Sequence, residues 1–191
     1  ALTYTMSGFV PELEGITAFI GEQQVIEVQQ AGQLLNFEDG VMRREDFHSA
    51  AGRQVKLYFA GEDGGLKLVT RAMDQLSATS PRVLLYELFT GVRAGEDAQN
   101  VAPDGLLDTD ILGVRIENEQ ALVNLSANFY RCCQTLDAQA ERNLVYAMVN
   151  TLTELDGIKT VQFYIEGEVV DVLTQKIYIK APLMRNPGLI N

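Results

Sequence analysis

Between Ile111 and Ser126 apolar and polar residues alternate. Leu112, Val114 and Ile116 fall on one side, and Ala121, Val123 and Leu125 line one face of a return strand, with Asn118 and Glu119 in the connection. A period of two in two short runs predicts a half-buried antiparallel hairpin. On either side the period changes to that of a helix. Leu84, Leu85, Leu88 and Phe89 recur at helical spacing inside Ser80–Gly91. There Ser80 suits the N-cap, Pro81 the first helical position and Gly91 the stop. Leu144, Val145, Met148, Val149, Leu152 and Leu155 follow steps of one, three and four, which predicts a long helix from an Asp137 cap to a stop at Asp156–Gly157. Val55–Ala60 and Leu66–Ala72 read as strands around the turn cluster Gly61–Gly65. Ile158–Leu173 reads as a hairpin turning at Glu166–Gly167, and Lys176–Ala181 as a last short strand before the tail.

The order is therefore ββ-α-ββ-α-ββ, with one further strand. Helices alternate with hairpins and not with single parallel strands. This predicts an α+β fold, a mainly antiparallel sheet with two helices packed on one face, and argues against a doubly wound nucleotide fold.

The chain also repeats itself. "PELEGI" at Pro11–Ile16 returns as "TELDGI" at Thr153–Ile158, so that Glu12 falls on Glu154 at an offset of 142. The same offset carries Leu2, Tyr4 and Met6 onto Leu144, Tyr146 and Met148, and Val41–Arg44 onto Leu183–Asn186. Between them, a hairpin shorter by two residues in the first copy pairs Phe19 with Phe163, Val25 with Val169 and Val28 with Val172. A period this long is the length of a domain, not of a solenoid turn. The expected organisation is residues 1–52 as the C-terminal portion of a first repeat, its front half lying upstream, and residues 53–191 as a complete second domain. In both copies the shared corner calls for an apolar anchor, a glycine to turn and a β-branched residue to enter the sheet.

Apolar residues make up 47% of the 191 and charged ones 21%, an ordinary globular balance with room for a core. The formal net charge of −11 repels phosphate backbones and anionic headgroups, so neither nucleic acid nor direct docking on a lipid surface is expected. No apolar run is long enough to cross a bilayer. The chain starts at Ala1 without Met, an artificial boundary or a processed end, so the absence of a targeting signal carries no information.

Candidate chemistry is thin. His48 is the sole histidine and reads as a surface or linker residue. Glu96, Asp97, Asp104, Asp108 and Asp110 form an acidic loop; its spacing is not that of a calcium loop and it reads as solvated. "GEDGG" lacks the lysine and following helix of a phosphate loop. Ser126 lacks the flanking glycines of a nucleophile elbow and reads as a helix N-cap. Glu166 and Glu168 flank a hairpin turn and read as wet edge charges. Cys132 and Cys133 are adjacent, a geometry that favours two thiols over a strained ring. No catalytic, cofactor-binding or metal-binding residue is assigned, and no cofactor is expected.

"LVNLSANFY", then "LVYAMVNTLTEL", "GIKTVQFYIEGE" and "PLMRN" together resemble the GerMN domain family of sporulation and spore-germination lipoproteins of Gram-positive bacteria, often found in tandem. The resemblance spans Val55–Arg185, and Leu2–Arg43 more weakly. It implies a fold similar to ring-building modules of secretion systems, and a non-enzymatic, extracytoplasmic protein held to a membrane only through a lipid anchor upstream. In the tandem sporulation member such domains support the channel complex between mother cell and forespore. The resemblance implies envelope or sporulation-complex proteins as partners, self-association among them. The alternative is a sensor module of a lipoprotein that binds a small ligand or a cell-wall fragment.

Overall fold

The computed structural model of the chain describes residues 15–30, 33–37, 39–43, 53–173 and 177–190. His48, Arg44 and the segment from Leu2 to Glu14 lie outside them. Two compact units result, Ala1–Gln54 with Ala72–Ala78, and Val55–Arg71 with Thr79–Asn191.

In the first unit, β1 (Phe19–Ile20) and β2 (Gln23–Gln24) form a hairpin through Gly21, and β3 (Glu27–Gln30) pairs with β4 (Gln33–Asn36). Ile16 and Met42 exchange two backbone hydrogen bonds of 2.9 and 2.8 Å. Phe37 and Met42 are its buried centre, with Ala18, Val25 and Val28 packed against them.

The second unit is built around one helix. β5 (Arg53–Ala60) and β6 (Leu66–Met73) form a hairpin closed at Gly61–Gly65. A single-turn helix, α1 (Gln75–Ala78), which belongs to the first unit, follows in the chain, and then α2 (Pro81–Thr90). Ser80 accepts the Val83 N–H, Pro81 opens α2, and Gly91 at φ 92° ends it. β7 (Ile111–Glu117) and β8 (Gln120–Leu125) make the second hairpin. The chain then forms α3 (Ala127–Cys133), α4 (Ala138–Leu152) and β9 (Thr160–Ile165). β10 is Leu183–Met184.

The sheet runs β10-β9-β8-β7. β7 with β8 and β9 with β10 are antiparallel, while β8 and β9 pair in parallel over Gln120–Leu125 and Thr160–Ile165. A parallel pair needs a crossover, and α3 and α4 supply it. α2 packs against α4 and β7, and α4 against β9 and β10; the other face of the sheet is exposed or half-exposed at Arg115, Leu122, Asn124 and Tyr164 and covered at Gln162, which is 5% exposed and donates to the Ile179 carbonyl.

Four readings shift. The β7 register slips at a bulge between Ile111 and Gly113. Ile111 therefore takes the buried position at 0% exposure, and Leu112 turns outward at 44%. α4 ends at Leu152, and past Thr153 the chain continues as tight turns in which the Glu154, Leu155 and Ile158 N–H groups bond three residues back. The last strand is Leu183–Met184; in the predicted strand Lys176–Ala181, of which residues 177–181 are described, Tyr178 alone among those described residues bridges, to Val172. The short helix α3 adds an element that its seven residues are too few to announce by periodicity.

α4 is buried beyond its apolar stripe. Asn143, Asn150 and Thr151 are 4%, 0% and 0% exposed. Each binds backbone of another segment. Asn143 Nδ2 donates to the Gly64 and Gly65 carbonyls, and Thr151 Oγ1 accepts the Tyr58 N–H at 3.2 Å. Asn150 donates to the Asn186 carbonyl at 3.2 Å and accepts its N–H at 2.9 Å. Buried polar side chains are tolerated when paired in this way, and here they tie the first hairpin and the C-terminal segment to one helix.

Candidate functional site

The ionisable side chains form three clusters in the second unit. At the first, Arg71 reaches from β6 with only 2% of its side chain exposed. It donates to Glu87 Oε2 at 2.6 Å, to both Glu96 oxygens at 2.7 Å and to the Gly91 carbonyl at 2.8 Å. Its guanidinium also lies 5.0 Å from the Phe59 ring centroid. Arg93 adds a bond to Glu87. The Arg71 hydrogen bonds hold the Glu96 carboxyl below its usual range, against a smaller opposing effect of burial. The fork geometry of arginine allows one side chain to fasten the end of α2 and the following loop to β6.

At the second cluster, Tyr58 donates its hydroxyl proton to Glu154 Oε1 at 2.6 Å. Arg185 pairs with the same oxygen at 2.5 Å, donates to the Tyr58 hydroxyl and lies over the Tyr58 ring. Lys56 approaches Glu154 at 3.1 Å. Burial alone would raise the Glu154 pKa, but the bonds from Tyr58, Lys56 and Arg185 prevail and lower it. Burial, then the bond to Glu154, raises the Tyr58 pKa.

The third involves two residues singled out in the sequence. Asp110 is 4% exposed. It accepts the Ser126 hydroxyl at 2.5 Å, the Leu107 N–H at 2.8 Å and Asn128 Nδ2 at 3.1 Å. Burial pushes its pKa up, and these bonds more than offset it, so that the value falls. Ser126 Oγ in turn accepts the Phe129 N–H at 3.0 Å as the N-cap of α3. Asp110 is thus a buried latch and not part of a solvated loop.

The remaining acidic residues scatter. Glu96 belongs to Arg71, Asp97 pairs with Lys67, and Asp108 offers its backbone carbonyl to Arg82. Asp104 lines a wide surface depression with Arg131 and Cys132. Glu166 sits at φ 51° and accepts the Ala127 N–H at 2.7 Å, while Glu168 bridges Ile165. Cys133 is buried and its thiol pKa is pushed far up by that burial; both cysteines are free. Among the described residues no group of three or more His, Cys, Asp or Glu could hold a metal ion.

Two concave surfaces stand apart from these clusters. Gly113, Asn124 and Tyr164 form one cross-strand row on the open sheet face and, with Arg115, Leu122 and Gly167, line a shallow hollow of about 300 Å³. A polar pocket of about 280 Å³ lies between the Gly61–Gly65 turn, the Gln99–Val101 segment and the first turns of α4. Sequence reasoning missed Arg71, Tyr58 and Arg185. Their partners are 16 to 127 residues away, and no local spacing signals such pairs.

The family model described as Germane, sporulation and spore germination, matches residues 56–171. The chain belongs to this family. It carries a GerMN-type, sporulation- and germination-associated domain, and the matched region covers the chain from β5 through β9. The family description names a process and no reaction. Among solved structures, the tandem GerMN domains of the sporulation protein GerM from Bacillus subtilis are similar over 100% of this chain and 66% of that one, at 15% identity and a TM-score of 0.56. The first GerMN domain of the same protein is similar over 70% of this chain and 98% of its own, at 20% identity and a TM-score of 0.56. A Clostridium perfringens protein described provisionally as a lipoprotein is similar over 73% of this chain and 93% of its own, at 19% identity and a TM-score of 0.50. At these identities the likeness speaks for the fold. No curated protein sequence matches the chain. Among the described residues no helix is long and apolar enough to cross a membrane.

Proposed function

We propose that this Germane-family chain is a non-enzymatic interaction module that supports a sporulation or germination complex in the cell envelope. The observation that carries the reading is the closure of its charged clusters. Arg71, Glu154 and Asp110 each bind neighbouring segments of their own domain, and the one candidate nucleophile among their partners, Ser126, is 9% exposed and engaged as the N-cap of α3. What the charges do here is hold shape. The open sheet face and the edge strand β7, with Leu112 and Ile116 outward at 44% and 51% exposure, are the surfaces left for partners. An envelope location rests on the family description and on the C. perfringens neighbour described provisionally as a lipoprotein.

The tandem organisation, residues 1–52 as part of a first repeat and 53–191 as a complete second domain, belongs to the same proposal. Near the repeated corner both units carry an antiparallel pairing to the segment that holds the repeated Met: Ile16 pairs with Met42 in the first, and Met184 pairs in the second with Thr160, two residues beyond Ile158, the counterpart of Ile16. Phe19 is 61% exposed where its counterpart Phe163 is 2% exposed.

In vivo crosslinking in sporulating cells, read by mass spectrometry, tests the reading. Crosslinks from the open face and β7 to envelope proteins of the sporulation complex are expected, with their loss on Ile116→Glu. A chain that forms no crosslinks, in cells whose sporulation survives its deletion, overturns it.

A further inference from the structure

The polar pocket at the start of α4 is a built site without an assigned occupant. Three backbone segments shape it. Ala60 and Gln99 exchange hydrogen bonds of 2.9 and 2.8 Å, which fixes the Gln99–Val101 segment beside β5. The Gly61–Gly65 turn closes the second wall, held by the bond from the Gly65 N–H to Asp63 Oδ1. Asp137 caps α4, accepting the Gln139 and Ala140 N–H groups, and forms the third. The first turn of α4 therefore already has its anion, and the pocket is not an anion site.

The lining is rich in acceptors. Glu62 and Asp137 bring carboxylates, Gln99, Asn100, Gln139 and Asn143 bring amides, and no Lys or Arg lines it. The independent observation is Asn143. It is 4% exposed, its Nδ2 is engaged by the Gly64 and Gly65 carbonyls, and its Oδ1 is buried with no hydrogen-bond partner. An orphaned buried acceptor costs free energy and marks a place where a donor belongs. The exposed side chain of Gln139 lies across the same turn, its Nε2 within 2.4 Å of where a Cβ on Gly64 would be.

We infer that this pocket binds a primary ammonium group carried on a short polar chain. The ammonium presents three donors and no acceptor. It would meet the Glu62 carboxylate and, once Gln139 swings aside, Asn143 Oδ1. A pocket whose charged lining is wholly acidic, on a chain of net charge −11, complements that charge. The source is either a free diamine or the lysine side chain of a peptide, and both present the same chemistry.

The test is a titration of the ¹⁵N-labelled 191-residue chain with putrescine and with Nα-acetyl-lysinamide, each against its fully N-acetylated form. Saturable shifts at Gly61, Gly64, Gln139 and the Asn143 side-chain amide are expected with the amines alone. Glu62→Gln, at an exposed position, should weaken binding about tenfold, as loss of a charge-assisted bond does. Gln139→Ala should bind at least as tightly as the parent. Whichever amine binds more tightly identifies the source. Shifts spread over the acidic surface, equal shifts with the acetylated forms, or indifference to Glu62→Gln overturn the inference. So does the absence of any shift, with an ordered water then satisfying Asn143. None of these outcomes bears on whether the chain crosslinks to envelope proteins, so the interaction reading stands or falls separately.

Discussion

Gly15 and Gly157 occupy the same place in the repeated corner and do different work. Gly157 has φ 84°, a left-handed conformation that costs other residues strain, and an added Cβ would meet nothing within 4 Å. At Gly15 an added Cβ would fall 2.4 Å from Val41 Cγ1, so the demand there is room. Gly157→Ala should therefore cost about 1–2 kcal/mol in urea denaturation, with Asn better tolerated than Ala. Gly15→Ala should disrupt the Ile16–Met42 pairing, seen as faster amide exchange at Met42, and Val41→Ala should rescue it. The same rescue should do nothing for position 157. The sequence showed two glycines at one offset, but only the backbone angle and the neighbouring side chain distinguish their reasons. Arg71 is a second case. Arg71→Met strips Glu96 of its forked partner and leaves Glu87 with Arg93 alone, and should cost about 3–5 kcal/mol. Arg71→Lys should recover only part of that, because a lysine cannot make the fork to Glu96. Equal stability of the two variants would remove Arg71 from its structural role.

At the scale of elements, helix positions, caps and the hairpin between β7 and β8 were legible because they are local: Ser80, Pro81, Gly91 and Asp137 signal by their chemistry alone. The parallel pairing of β8 with β9 was not, because alternation within a strand says nothing about which strand lies beside it. Nor was the role of Asn143, Asn150 and Thr151, which read as the polar side of an amphipathic helix. They are buried because α4 is enclosed by more than the sheet it packs on. Asn150→Leu adds bulk at a fully buried site and leaves the Asn186 N–H unpaired, its carbonyl keeping only the bond from Leu189, and should cost about 2–4 kcal/mol on both accounts. Hydrogen exchange should show the loss first at Leu183 and Met184, whose two-residue strand depends on that anchor. Unchanged protection there would mean that β9 alone holds the segment.

At the scale of the whole molecule, four carboxylates among the described residues have folded pKa values below their ordinary ones: Asp39, held down by its hydrogen bond from Arg43, and Glu96, Asp110 and Glu154. A depressed carboxylate contributes stability above its unfolded pKa and loses it as pH falls toward the folded value. The melting temperature should therefore fall once pH drops below about 4, where unfolded carboxylates take up protons. From pH 7 down to that point it should hold or rise, as partial neutralisation of the −11 charge relieves repulsion. Glu96→Gln should flatten the acid limb, and an unchanged limb would place the sensitivity elsewhere.

The sequence by itself determined the two long helices and their caps, the α+β class and the family, because each rests on local periodicity, punctuation and order along the chain. It also held the repeat, a property of the string. Tertiary structure alone decided that β8 runs parallel to β9, that Asp110 is a latch, and that Arg71, Tyr58 and Arg185 close the charged clusters. These depend on which distant residues meet, and a hydrogen bond or ion pair is fixed by separation in space, on which spacing along the chain is silent.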